Sequence, residues 1–186
     1  MTDQSAIDEL VAKQAIHDVV MRYCRGIDRL DEELVRSVYH PDAYDDHGTF
    51  KGNGWDFASY VIEALAAVPQ RTMHTIGNEL VQVDGDVAHG EAYLVAHHLF
   101  DDGASGRTLF SFHGRYVDRY ERRDGDWKIA HRIVVKDWAE SRPFTETWAD
   151  DSPFATGVRS RDDLVYERTA ARSGAIAASA PTGPAT

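Results

Sequence analysis

Helical spacing confined to the first third of the chain, followed by long alternating strands, predicts an α+β fold. Three observations carry this. Apolar residues recur at helical intervals over 7–27 and 55–68. Four runs, 72–83, 87–100, 107–122 and 127–139, are rich in β-branched and aromatic residues. Asp84-Gly85 and Asp124-Gly125 are strong hairpin-turn dipeptides between those runs. Helices first and a meander of strands afterwards put the helices on one face of a curved, mainly antiparallel sheet.

The first helix is read from Ile7, Leu10 and Val11 through Ile16, Val19, Val20, Tyr23 and Ile27. Gly26 weakens its last turn, so Asp28 is expected at the helix end or just beyond it. On a regular helix Tyr23 and Asp28 stand about 140° apart. Asp31 is suited to cap a second helix, Glu32 to Tyr39, which His40-Pro41-Asp42 ends. A short strand over 43–50 and a loop at Gly52 and Gly54 follow, then a helix from Trp55 to Val68, stopped by Pro69. Its stripe Phe57, Val61, Leu65 reads as core.

The loop 101–106 joins the second and third long strands. Strict alternation in the last strand gives Ala130, Arg132, Val134 and Trp138 one face. Trp127, Ile129, His131, Ile133 and Val135 share the other. Both faces are largely apolar, one to line a pocket and one to meet another subunit, so a homo-oligomer is expected, a dimer or trimer. Residues 1–172 are read as a single domain. Residues 140–169, with Pro143, Trp148, Pro153 and Phe154, are irregular and suggest a lid. The Ala/Ser/Gly/Pro/Thr tail over 173–186 has a disordered composition.

At 186 residues the chain can bury a core and keep a ligand cavity. The formal net charge of −11 argues against non-specific nucleic-acid binding, which needs clustered Lys and Arg. No apolar run is long enough to span a bilayer. The N-terminal residues lack the pattern of a secretory signal. One cysteine, Cys24, cannot form an internal disulfide; it reads as a packed thiol, and the default location is cytoplasmic.

A family likeness rests on several stretches: Ala15-Ile16-His17-Asp18-Val19, Arg22-Tyr23, Gly26-Ile27-Asp28, His40-Pro41-Asp42-Ala43, His74-Thr75-Ile76-Gly77-Asn78, Asp84-Gly85-Asp86-Val87-Ala88, and the run from Tyr120 to Ile129. Over roughly 5–140 the chain resembles the SnoaL-like family of the nuclear transport factor two-like superfamily. That resemblance implies a cone-shaped α+β barrel: three helices wrapped by a bent sheet around a pocket. It points to bile acid 7α-dehydratases, hexachlorocyclohexane dehydrochlorinases and, more distantly, scytalone dehydratases. In the first two groups an Asp near the end of the first helix pairs with a His at the start of the sheet, and an Arg lies on the last strand. Asp28, His74 and Arg132 match those positions, and Tyr23 matches a tyrosine of the dehydratases.

These four residues could move a proton without metal or organic cofactor. His74 is the natural base, titrating near neutrality. Asp28 would fix its tautomer and stabilise the imidazolium. Tyr23 could hydrogen-bond a substrate carbonyl or protonate a departing hydroxide. Arg132 could stabilise negative charge, or neutralise Asp28, its expected carboxylate partner. His98, by parity with Ala92, Leu94 and Ala96, and Trp138, by parity with Arg132, are the candidate substrate-binding residues. His97 must face away from His98. Asp42, Asp45, Asp46 and His47 read as a solvated turn, not a metal loop, and no zinc motif is present. The expected activity is a cofactor-independent lyase or isomerase, foremost a dehydratase for a hydrophobic cyclic hydroxy-carbonyl compound. Alternatives are a non-catalytic ligand-binding or oligomerising module like a dioxygenase β-subunit, and an aldol-type lyase or ketosteroid-type isomerase.

Overall fold

A computed structural model describes residues 3–68, 70–146 and 153–170. Pro69, Trp148 and the expected disordered tail lie outside the described residues. Helices α1 (Asp3–Arg29), α2 (Glu32–Ser37) and α3 (Gly54–Ala66) pack against a six-stranded sheet. Its strands are β1 (Tyr39–Asp46), β2 (Lys51–Asn53), β3 (Gln70–Asp84), β4 (Val87–Asp101), β5 (Arg107–Arg123) and β6 (Asp126–Phe144). A short α4 (Leu164–Ala170) follows. The sheet order is β2-β1-β6-β5-β4-β3; β1 runs parallel to β6 and every other neighbour is antiparallel. The sheet is open, with β2 and β3 at its edges. This is the α+β cone expected of the sequence, with a mixed sheet.

α1 buries Ile16, Val19, Val20, Tyr23 and Ile27 against the sheet's inner face, where Ala88, Ala92, Leu94, Tyr116, Tyr120 and Ile129 meet them. Ile7, Leu10 and Val11, expected in that stripe, are exposed, because α1 first meets the core at Ala12. The helix does not loosen at Gly26. It runs to Arg29 and closes with Leu30 at φ 53°. Asp31 N–H donates to Gly26 O at 2.8 Å and Leu30 N–H to Ile27 O at 3.3 Å, the paired bonds of a left-handed helix stop. Gly26 serves packing instead: a Cβ there would lie 2.7 Å from Val35 Cγ2 on α2. Asp31 caps α2 as expected, accepting from Leu34 N–H at 3.1 Å.

β1 starts earlier than expected, at Tyr39, so His40-Pro41-Asp42 belongs to a strand. The pairing of β1 with β6 is irregular between Tyr39 and Tyr44, where Pro41 costs no ladder bond. Asn53 caps α3, its side chain accepting from Trp55 N–H at 2.8 Å. The Asp124-Gly125 turn takes positive φ at both residues (54° and 90°), the geometry for which a two-residue hairpin loop selects Asp-Gly.

Two bulges in the β5–β6 pairing overturn the strict alternation expected of β6. Arg119 pairs with His131 but Tyr120 with Ile129, so Ala130 is an extra residue. Trp127 and Ile129 before it, and Arg132 and Val134 after it, therefore all face inward. His113 pairs with Trp138 but Gly114 with Lys136, so a second extra residue, Asp137, turns Trp138 outward. β6 continues to Phe144, well into the span expected to be irregular. Pro143 is tolerated because β1 leaves the other side of β6 at Ile133.

The segment leading into α4 is fastened to the helices. Arg29 pairs with Asp163 at 3.1 Å, Arg161 reaches Asp31 at 2.9 Å, and Tyr166 O–H donates to Asp31 at 2.9 Å. Arg159 Nη1 donates to Leu65 O at 3.3 Å and Gln70 O at 2.8 Å.

Candidate active site

The inner face of the curled sheet and the helices enclose a cavity of about 510 Å³. Its walls are mainly apolar: Ile27, Val61, Leu65, Leu94, Ala96, Phe110, Phe112 and Val134. Val61 and Leu65, read from the sequence as core, are thus pocket wall, while Phe57 beside them is core. The polar lining is Tyr23, His47, Thr49, His74, His98 and Tyr116. Walls of this kind leave a few polar groups to orient a ligand.

Asp28 and His74 meet on one side. His74 Nδ1 donates to Asp28 Oδ1 at 2.8 Å, and His74 N–H donates to Asp28 Oδ2 at 2.9 Å. The carboxylate thus grips backbone and ring of the same residue. That fixes the ring's tautomer and leaves Nε2 as the remaining nitrogen of a cavity-lining side chain. Burial raises the Asp28 carboxyl, but the bonds from His74 and its charge outweigh burial and hold it below its ordinary value. Both partners are shielded, with side chains 11% and 8% exposed. Although Tyr23 and Asp28 point in different directions from α1, a sheet that wraps the helix meets both.

Arg132 does not join them. Its guanidinium is fully buried and bound to Asp118, Nε to Oδ1 at 2.9 Å and Nη2 to Oδ2 at 2.6 Å. The expected partner was Asp28; the bulge at Ala130 sets Arg132 beside its β5 neighbour Asp118 instead. The cation lies 4.3 Å from the Tyr23 ring centre and 4.0 Å from that of Tyr116. It therefore stands behind the cavity wall, holding two tyrosines from the back.

Tyr23 lines the cavity, and burial pushes its phenol well above the usual value. Its hydroxyl lies 3.1 Å from His47 Nε2. His47 is the residue the sequence reading missed. Its ring stacks on Phe57 at 4.0 Å, and its Nδ1 bonds Asp45, which is wholly buried and also accepts from Tyr39 O–H at 2.6 Å. Burial lowers the His47 pKa against the opposing pull of Asp45. The signal was present: in the strand expected over 43–50, alternation puts Ala43, Asp45 and His47 on one face. The acidic composition of 42–46 masked it as a solvated turn.

His98 lines the cavity 6.3 Å from the His74 ring, with Nδ1 2.9 Å from Gln70 Oε1. Burial, then the neighbouring His74, brings it down to about 4. His97 turns the other way, onto Ser111 at 2.9 Å. Trp138, expected in the pocket, lies outside it on the convex face, 60% exposed and stacked on His113 at 4.7 Å. Cys24 is buried, its thiol pushed up to about 12, so it is no nucleophile near neutral pH.

Comparison with known proteins agrees with this architecture. A model of the SnoaL-like domain matches residues 8–133. Hexachlorocyclohexane dehydrochlorinase 1 of Sphingobium indicum is 27% identical over 132 residues, covering 68% of this chain and 82% of that protein. A crystal structure of a type 2 hexachlorocyclohexane dehydrochlorinase superposes with a TM-score of 0.68 at 21% identity, covering 79% of this chain and 99% of that one. A putative scytalone dehydratase from Novosphingobium aromaticivorans gives a TM-score of 0.63 at 20% identity, covering 84% and 100%. At such identities these two structures speak to the fold. With the domain match spanning most of its length, the chain belongs to the SnoaL-like domain family.

Proposed function

We propose that this protein is a cofactor-independent lyase or isomerase, and most specifically a dehydratase acting on a hydrophobic, cyclic hydroxy-carbonyl compound. The observation that carries the reading is the buried His74–Asp28 pair, bonded at 2.8 Å, opening on an apolar cavity of about 510 Å³. A pair so arranged is an oriented base whose cation is stabilised as it forms. His74 Nε2 takes the proton from a carbon next to a carbonyl. The C–H electron pair becomes the new double bond, the C–O bond breaks toward oxygen, and the imidazolium returns its proton to the departing hydroxide. Water leaves and neutral His74 is restored.

Relatives named as a dehydrochlorinase and a putative scytalone dehydratase lend support, since both names denote eliminations. A carrier or oligomerising subunit would have no need of a buried acid–base pair. Arg132 acts on this reading through the tyrosines it backs. The test is a screen of cyclic hydroxy-carbonyl compounds, followed by His74→Ala and Asp28→Asn on the best substrate. Loss of a proton-transfer group should cost about 10²–10⁴-fold in kcat. Full turnover by both folded variants would end the proposal.

A further inference from the structure

We propose that Tyr23, positioned by the His47–Asp45 pair, is a hydrogen-bond acceptor in the cavity, and that the substrate therefore presents a hydroxyl O–H to it, across from His74. This deepens the elimination reading and rests on it for the role of His74.

A phenol has one proton, and what it offers a ligand depends on where that proton already points. The partners decide this one residue at a time. Asp45 Oδ2 accepts from Tyr39 O–H at 2.6 Å, and its Oδ1 bonds His47 Nδ1. A carboxylate only accepts, so Nδ1 carries the hydrogen. In the neutral ring Nε2 is then a bare lone pair, and the only hydrogen available for the 3.1 Å contact to Tyr23 is the phenol's own. Tyr23 O–H is thereby committed to His47, and its oxygen lone pairs are what remain for the cavity. The sequence reading gave Tyr23 the opposite polarity, as donor to a carbonyl or a leaving group.

The surroundings keep His47 neutral. α1 contributes Tyr23, β1 contributes Asp45 and, through it, Tyr39, and α3 contributes the uncharged Phe57 stacked at 4.0 Å. β5 contributes Tyr116, 6.4 Å from the ring. His74 from β3 and the Arg132 cation from β6 both oppose a charge on His47, and burial opposes it most, against the single favourable pull of Asp45. Protonation of His47 would put a hydrogen on Nε2 and reverse the bond, so that Tyr23 would donate to the ligand. The pair is a polarity switch with its resting position set to accept. A substrate hydroxyl docked there can also give up its proton: it passes to the Tyr23 oxygen as the phenol proton moves to His47 Nε2. The products are a substrate oxyanion and an imidazolium held by Asp45, with no change in oxidation state.

Two ten-carbon bicyclic probes, 1-naphthol (a donor) and 1-tetralone (an acceptor only), separate the polarities by binding alone. Calorimetry or fluorescence titration at pH 7.5 should give a preference of about ten-fold for 1-naphthol, the scale of one well-made hydrogen bond. His47→Phe keeps an aromatic ring on Phe57 and frees Tyr23 O–H, so the preference should vanish or invert. Tyr23→Phe should erase it, and in the unmodified protein it should shrink as the pH is lowered below the range in which His47 is neutral. Equal binding of the two probes by the unmodified protein, a preference for 1-tetralone, failure to bind either, or a naphthol preference that survives His47→Phe would each overturn the inference. If His47→Phe does not fold, Tyr23→Phe and the pH series decide. The elimination reading fails separately: it falls if His74→Ala and Asp28→Asn both retain full turnover, whatever the probes do, and stands if His74→Ala is inactive while the probes bind alike.

Discussion

Among the described residues Asp118 and Arg132 form the most deeply buried ion pair, and they are bonded twice. Asp118→Asn should destabilise the protein by about 3–5 kcal/mol, because it strands a guanidinium under two tyrosine rings with nowhere to find water. Denaturant midpoints would measure it; a loss below 1 kcal/mol would show that the pair is dispensable. His98 makes a prediction of pH dependence. Its folded value is lowered to about 4, while an unfolded histidine titrates near 6.5. Between those values the unfolded chain binds a proton that the folded chain does not, so stability is full above about 6.5 and falls as the pH drops toward 4. The decline attributable to His98 is up to about 3 kcal/mol. Asp28 acts lower still: its depressed carboxyl contributes above its unfolded value, and that contribution is lost as the pH falls through its folded value. Urea melts from pH 8 to 4, repeated on His98→Gln, should show a flatter profile in the variant.

At the scale of elements, the junction of α1 and α2 depends on what Gly26 lacks. In an isolated helix Gly→Ala gains up to about 1 kcal/mol. Here the new methyl would meet Val35 Cγ2 at 2.7 Å and Val35 N at 3.0 Å. Gly26→Ala should therefore destabilise by about 1–3 kcal/mol, the range for overpacking. Thermal melts read this directly, and a rise in Tm would contradict the packing role. The same residue marks a limit of reading from sequence. A glycine near a helix end looks like a local weakness, and only the neighbouring helix reveals that it admits a close approach. Hairpins contrast with this. Asp124-Gly125 encodes its own backbone geometry, so the strand pairs around it were legible from local composition. Bulges carry no such mark: nothing in the composition of Ala130 or Asp137 distinguishes an extra residue from a regular one, and each moved a side chain to the other face.

For the molecule as a whole, the cone separates the cavity that holds His74 from an apolar outer face. The convex face of the sheet exposes Met73, Leu80, Tyr93, Val117, Ile133 and Trp138. Apolar surface gathered on one face marks an interaction site, and a second copy of the chain is the expected occupant. Light scattering should report a dimer or trimer, and Trp138→Asp should shift it toward monomer while leaving the activity proposed for His74 intact. An unmodified protein that is monomeric at all accessible concentrations would refute this. Among the described residues no helix is long and apolar enough to cross a membrane.

What the sequence determined by itself was local or periodic: the order of helices and strands, the hairpin turns, the cap at Asp31 and the inward parity of His98; a family likeness added Tyr23, Asp28, His74 and Arg132 as candidates. Tertiary structure alone decided the pairings. Arg132 went to Asp118 because a bulge changed its phase, Trp138 left the cavity for the same reason, and His47 entered it beside Tyr23. The physical reason is one of range. Backbone preferences and periodicity act within a few residues, whereas the partner of a buried charge is fixed by register across strands, where one inserted residue reverses every side chain beyond it.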